Sequence, residues 1–376
     1  MSERPGQRVV EWLPRAARGL ADFLTKPAAV AVLLRIGGIL VALGLSALIL
    51  FAMGVSPLEA ARLVVSGAIG WPNNPPAVLS KLAYVITAWV PVLLCSAGLL
   101  LTFSAGLWNI GIEGQVVMGA IFATGAMRLF QDAAPAALVL VLGALAGLVG
   151  GALWALLTGA LRLYGNINEI FGGLGLNFIA GSLTVYLVLG PWKRPGTGST
   201  SGTLPFPPSL WLPAVRGFGV SPIEILLGLM AVAMVAVALR GTHFGLRLKA
   251  IGKNLRSARL LGISTGRHWL AAFALCGALA GVAGWILVVG TSARHNLFPL
   301  ISGGYGYLAI LVVLLANLNA IWALPISFFF AAISMGSLQL ADLELDSSLG
   351  GVIQGLLVLL ILIAQGLQPR LFRREG

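Results

Sequence analysis

Long apolar runs, each closed by a short polar or glycine- and proline-rich break, repeat along the chain. In order they are Val30–Met53, Leu82–Thr102, Asn109–Leu129, Ala136–Leu161, Ile170–Leu189, Ile223–Leu239, Trp269–Gly290, Phe298–Ala316, Ile321–Gln339 and Leu349–Ala364. About 20 helical residues cross the hydrocarbon of a bilayer, so each run predicts one transmembrane helix. The predicted fold class is therefore an all-α integral membrane protein of about ten spans. Gly303, Gly304 and Gly306 interrupt the eighth run, and Pro91 lies inside the second.

Charge orients these spans. The segment Arg240–Trp269 carries Arg240, Arg247, Lys249, Lys253, Arg256, Arg259 and Arg267 with no acidic residue. Lys and Arg near span ends resist translocation, which places this loop, residues 240–268, in the cytoplasm. Both termini then fall on the same side. The N-terminal segment 1–29 carries Arg4, Arg8, Arg15, Arg18 and Lys26, and the tail 367–376 carries Arg370, Arg373 and Arg374. Segment 1–29 reads either as a helix lying on the membrane surface or as an unstructured tail. Between them, residues 30–366 form the membrane domain. Residues 190–220 leave the membrane on the outer side, and their prolines exclude a long helix there. They form either a connector or a docking surface for an external partner, and their length favours docking.

Composition narrows the class further. The chain is 58% hydrophobic and 10% charged, against roughly 25% charged in a soluble domain. Its net charge of +12 sits between apolar runs, so it reads as a topology signal and not as a nucleic-acid surface. Cys95 and Cys276 lie inside spans and behave as small apolar side chains. His243, His268 and His295 show no metal-ligand spacing. The chain has no GxxxxGK[ST] phosphate loop, so ATP hydrolysis is not expected here. An intramembrane enzyme finds no catalytic constellation.

Polar residues inside spans are few and therefore informative. The densest group is Ser104–Gly119, SAGLWNIGIEGQVVMG, with Trp108, Asn109, Glu113 and Gln115 among glycines. A carboxylate within a span costs about 2.5–3.5 kcal/mol on insertion scales, so Glu113 must face protein, water or a counter-charge. Two roles fit: a residue lining or bracing a solute path, or a helix cap near the inner face. The path role is favoured, because glycine-broken helices build midplane sites in transporters. A second group is NINEIFGGLGLN, Asn166–Asn177. Asn168 suits an N-cap with Glu169 in the first turn, and a path role fits the pair equally. Asn177 lies deeper and needs a hydrogen-bond partner.

GALAGLVG at Gly143–Gly150 resembles GALAGVAG at Gly277–Gly284. The match reads either as a relic of an inverted duplication or as chance. Small residues four apart let helices approach closely on either reading.

WNIGIEGQ at Trp108–Gln115, NE at Asn168 and Glu169, LNFIA at Leu176–Ala180, GLRLKAIGKN at Gly245–Asn254, SARLLGIS at Ser257–Ser264 and GALAGVAG together resemble a known group. They are similar to permease subunits of ATP-driven bacterial importers for nucleosides and simple sugars, related to branched-chain amino acid permeases. Trp108 stands where that pattern usually has Phe, Ile112 where a small residue is usual, and Gly165-Asn166-Ile167 where Gly-Thr is commoner. These departures bear on the substrate.

The resemblance implies a multi-pass protein of the bacterial inner membrane that carries nucleosides, or alternatively a simple sugar or another small polar solute. It implies a second permease subunit, a cytoplasmic ATP-binding-cassette ATPase that uses ATP and Mg, and an external substrate-binding protein. No cofactor is expected in this chain. It also implies a short cytoplasmic helix that fits the ATPase, assigned to Arg247, Lys249, Asn254, Leu255, Arg256, Ala258, Arg259, Gly262 and Ile263. On one continuous helix Ile251, Leu255, Ala258 and Gly262 share a face, and Gly262 suits a C-terminal stop. A rival reading is an ion-coupled transporter with Glu113 and Glu169 as proton sites.

Topology is tested by single cysteines. Positions within 240–267 are expected to label only from the cytoplasm, and positions near Gly198 only from outside. Labelling of both from one side would overturn the orientation.

Overall fold

In lipid a backbone must satisfy its own N–H and C=O groups, and the apolar runs do so as helices. The computed structural model describes residues 27–70, 75–196, 201–215, 217–291, 293–346 and 348–372. Nearly all of the N-terminal segment, position 198, Arg216, Arg373 and Arg374 lie outside the described residues.

The helices are α1 (Pro27–Ala52), α2 (Pro57–Ile69), α3 (Pro75–Ser104), α4 (Ile112–Phe130), α5 (Ala136–Leu163) and α6 (Glu169–Leu189). After residues 190–220 come α7 (Pro222–Gly241), α8 (His243–Lys253), α9 (Leu255–Leu260) and α10 (Thr265–Val289). The chain ends with α11 (Tyr305–Leu315), α12 (Ala320–Gly336) and α13 (Leu349–Phe372), with 3-10 turns at Pro208–Leu210 and Ser337–Leu343. No strand occurs among the described residues.

The span count changes, and a further helix appears between the first two runs. Among the described residues, seven helices are long and apolar enough to cross a membrane, or eight if the bent pair Ile36–Ala52 and Pro57–Ile69 is one span. The runs at 109–129 and 298–316 fall short of that standard. α4 opens at Ile112 with Glu113 and Gln115 close behind, and α11 has 11 residues, a rise of about 16 Å. Finally, the segment after Met53 holds a further helix, α2, whose first-turn Pro57 is compatible with helix because its missing N–H has no partner there anyway.

Contacts divide the chain into two compact units, Met1–Arg62 with Leu340–Gly376, and Leu63–Gln339. In the first, α1 packs on α13, with Gly38 facing the Leu360 carbonyl and Ala364. In the second, α3 and α10 are central. Buried residues make up 89% of the most apolar stretch of α3 and 67% of that of α10, but only 28% for α5 and 22% for α6. The outer faces of α5 and α6 present Leu145, Leu153, Phe171 and Ile179, the surface expected of helices bordered by lipid.

Backbone contact fixes the arrangement of α4, α5 and α10. Gly147 and Gly151 of α5 meet Gly281 and Gly277 of α10 in antiparallel register. Gly119 of α4 also meets Gly281, and Gly284 meets Val116 and Ala120. The two similar octapeptides thus pack face to face, as small residues spaced by four allow.

Any side chain at Gly281 would run into the Gly147 carbonyl. Gly281→Leu is expected to destabilise the protein by about 1–3 kcal/mol or more. Gly351→Leu, at a glycine with nothing within 4 Å, should be neutral. Thermal unfolding in detergent compares them, and equal melting temperatures would show that the glycine contact contributes nothing.

Candidate functional site

Two helices begin away from the ends of their neighbours. α3 stops at Ser104, and α4 starts only at Ile112. Between them Gly106 turns with φ +75, a conformation that glycine adopts freely. A Cβ there would lie 3.2 Å from Gly252 Cα in α8. The chain then runs inward to Asn109, which reaches Cys276 near the middle of α10. The second interruption precedes α11, where Gly303 and Gly304 have φ +56 and +78.

Each interrupted start exposes N–H groups that have no partner within their own helix. Acceptors from other segments supply them. Glu113 Oε1 accepts from Gly304 N–H at 2.9 Å, and Oε2 from Gly306 N–H at 2.8 Å. The carboxylate of α4 thus sits on the positive end of α11. A Cβ at Gly306 would fall 2.5 Å from Oε2, so glycine is required by the approach. α4 is served in turn by α6. Asn177 Oδ1 accepts from Gly114 N–H at 2.8 Å, and Asn177 Nδ2 donates to the Ile110 carbonyl at 3.0 Å and to Tyr307 Oη at 3.3 Å. Asn177 lies about 12 Å along α6 from Glu169, well inside the span.

A cavity of about 480 Å³ opens at this junction, a size usual for small-molecule sites. Glu113 and Asn177 line it with Phe178, Ser182, Ser302 and Tyr307. Leu300, at its edge, holds φ +61, rare for a leucine. Phe178 falls in the LNFIA motif, whereas Ser182, Ser302 and Tyr307 carry no sequence mark of their own. The glycine interruption at 303–306 is the one feature that points to this end of α11.

The other predicted path residues lie elsewhere. Asn109 and Gln115 are fully buried and bonded to each other, Asn109 Nδ2 to Gln115 Oε1 at 3.1 Å and Gln115 Nε2 to Asn109 Oδ1 at 3.0 Å. They brace the chain before α4 and do not line the cavity. Asn168 caps α6 through Ile170 N–H at 2.9 Å. Glu169 pairs with Arg162 Nε at 3.2 Å and accepts from Trp108 N–H at 3.4 Å. Arg162 lies 5.7 Å from the Trp269 ring centroid. This group joins the ends of α5, α6 and α10 on the side of the basic loop. Trp108 is half exposed and packs on Phe103 at 4.9 Å.

The basic loop folds as two helices, not one. Asn254 is extended (φ −156, ψ 101) and accepts from Ser257 N–H at 3.0 Å, capping α9. The break resets the helical register, so the face expected from a continuous helix does not form. Ile251 and Ala258 are buried against the chain itself. Arg247, Lys249, Asn254, Arg256, Arg259 and Gly262 are exposed, while Leu255 and Ile263 are partly so. Leu260 and Leu261, at 82% and 78% exposure, form the apolar tip. Gly262 ends α9 with φ +74, and Gly262 N–H and Ile263 N–H donate to the carbonyls of Arg259 and Ala258. That is the glycine stop expected from the sequence.

The segment between α6 and α7 is pinned to the turn after α10. Thr203 N–H donates to Leu297 O and Phe206 N–H to His295 O, each at 2.7 Å. Asn296 Nδ2 bonds Thr203 O at 2.9 Å, and Trp211 stacks on His295 at 3.8 Å. Arg128 of α4 donates to Leu204 O and covers the Phe206 ring.

Apolar helices around a cavity that opens between two interrupted helix starts, with a few polar side chains in its wall, suit a multi-pass membrane protein. Residues 81–362 match the family described as the permease component of the branched-chain amino acid transport system, and the chain belongs to that family. It is 29% identical to the glucose ABC transporter permease protein TsgB13 of Haloferax volcanii, over 87% of this chain and 86% of that one. It is 24% identical to the guanosine ABC transporter permease protein NupP of Bacillus subtilis, over 74% and 81%. It is also 24% identical to the nucleoside ABC transporter permease protein NupB of Lactococcus lactis, over 78% and 79%. The chain is thus a transport subunit.

The Glu113 junction is tested by stability. Glu113→Gln replaces one acceptor with a donor facing an N–H group, and Gly306→Ala forces the carboxylate away. Each is expected to cost about 1.5–3 kcal/mol, the worth of a hydrogen bond to a charged group, read as a lower melting temperature in detergent. Unchanged melting in both would show that α11 does not depend on this carboxylate.

Proposed function

We propose that this chain is the transmembrane permease subunit of an ATP-driven importer, that it resides in the plasma membrane, and that its cavity carries nucleosides. The carrying observation is the cavity itself. Asn177, Ser182, Ser302 and Tyr307 present amide and hydroxyl groups, while Phe178 and Tyr307 present aromatic faces. A nucleoside offers both complements: ribose hydroxyls and base edges for the polar groups, and a flat base for stacking. The names of the Bacillus and Lactococcus relatives support this substrate class. The name of the Haloferax relative supports the second reading, a simple sugar in the same cavity.

The remaining machinery follows from the architecture. With no phosphate loop in its sequence, the subunit depends on a separate cytoplasmic ATPase. The exposed part of 240–268 is the surface offered to it, with basic Arg247, Lys249, Arg256 and Arg259 around Leu260 and Leu261. Because Ala258 is buried, it shapes that surface without touching a partner. The pinned outer loop is the surface offered to an external substrate-binding protein. A second permease, alike or different, completes the pore.

Uptake into vesicles containing the full complex provides the test. ATP-dependent uptake of guanosine that survives collapse of the proton gradient is expected, and Phe178→Ala should lower it at least about fivefold, the loss of a stacking contact of 1 kcal/mol or more, with membrane insertion unchanged. Uptake of glucose in place of guanosine would select the sugar reading. Uptake that follows the proton gradient and ignores ATP would overturn the importer assignment.

A further inference from the structure

A second cavity, of about 160 Å³, lies on the other side of the α11 start. Tyr305 lines it, whereas Ser302 and Tyr307 line the larger one. Its other walls are Tyr84 of α3, Glu224 of α7, the end of α10 from Ile286 to Thr291, and Met335 of α12. Glu224 stands in the first turn of α7, directly after the outer loop, so the cavity faces the outer half of the membrane.

Glu224 is fully buried. Its Oε1 accepts from Thr291 N–H at 2.8 Å, but Oε2 has no hydrogen-bond partner. The Thr291 side chain lies beside the carboxylate, and its Oγ1 is also without a partner. Two buried oxygens, close to each other, thus border one small space, and neither has a partner from any other residue. No Lys, Arg or His is among the described residues that line it. The N-terminal dipole of α7 favours an ionised Glu224, and the last turn of α10 brings the negative end of a second helix to the same space.

We propose that this cavity is a binding site for one alkali-metal cation, sodium or potassium, held by Glu224 Oε2, Thr291 Oγ1 and bound waters at the negative end of α10. A carboxylate and a hydroxyl oxygen border the space, with room for waters, which suits a hard cation. One carboxylate balances one positive charge and leaves a divalent ion under-compensated. At about 30 Å³ of liquid volume per water, the cavity takes a cation with a few waters and is too small for a whole solute. Occupancy would tie α7 to the end of α10 beside the α11 start, bracing the outer side of the larger cavity. The inference does not depend on which solute that larger cavity carries.

The test is thermal unfolding of the purified full chain in sodium, potassium or choline chloride at equal ionic strength. Wild type is expected to melt several degrees higher in sodium or potassium than in choline, saturably, and the better of the two identifies the ion. Glu224→Gln should melt as wild type does in choline and gain nothing from either metal. Equal melting of wild type in all three salts would overturn the proposal, as would the same gain in Glu224→Gln. Should Glu224→Gln not fold, Thr291→Val decides. It is expected to raise the half-saturating concentration about tenfold, a loss of one modest ligand, and an unchanged half-saturation would count against the site.

Discussion

Backbone N–H groups at interrupted helix starts are the constraint on which this structure turns. Where α4 and α11 begin within the bundle, their first N–H groups lie among apolar helices, and each unmet group costs several kcal/mol in lipid. Glu113 answers for α11 and Asn177 for α4. Both side chains line the larger cavity. The groups that make the broken helices affordable are therefore the same ones that a solute would meet. A carboxylate that looks costly in the sequence is the acceptor that a mid-membrane helix start requires.

Precise placement of those groups rests on glycine. α4, α5 and α10 touch backbone to backbone around Gly281, so α4 has little freedom to slide, and Glu113 at its start is held against Gly304 and Gly306. Asn109 and Gln115, bonded to each other beside Cys276, stiffen the chain entering α4. Binding groups carried by such a frame need little reorganisation, which helps a site recognise a small polar molecule.

Two buried carboxylates flank the start of α11 from different sides. Glu113 is committed to backbone donors at both oxygens, while Glu224 is committed at one. The difference decides their chemistry. A fully bonded carboxylate fixes a helix, and a half-bonded one next to an empty space receives a guest. On the side of the basic loop, Arg162, Glu169 and Trp269 join helix ends with charge and an aromatic face. Arg240 and Asn319 meet on that side as well, at 3.0 Å.

The sequence by itself determined the all-helical membrane class, most helix positions, the glycine stop at Gly262 and the capacity of the two glycine octapeptides for close helix approach. Each depends on local composition or on spacing along one helix, which are legible in one dimension. That Asn168 acts as a cap and that the octapeptides meet each other came from the structure. Only the tertiary structure decided that α11 is short, that Asn254 breaks the basic helix so that Ala258 turns inward, and that Phe178, Ser182, Ser302 and Tyr307 join Glu113 and Asn177 at one cavity. It also separated those two from Asn109, Gln115, Asn168 and Glu169, which the sequence groups with them. The physical reason is the solvent. Lipid is as apolar as a protein core, so hydrophobicity cannot tell a helix face that packs from one that faces lipid, and a polar side chain declares only that it needs a partner. Which partner it finds, across Glu113 to Gly304 or Asn177 to Gly114, is set by contacts between residues far apart in the chain.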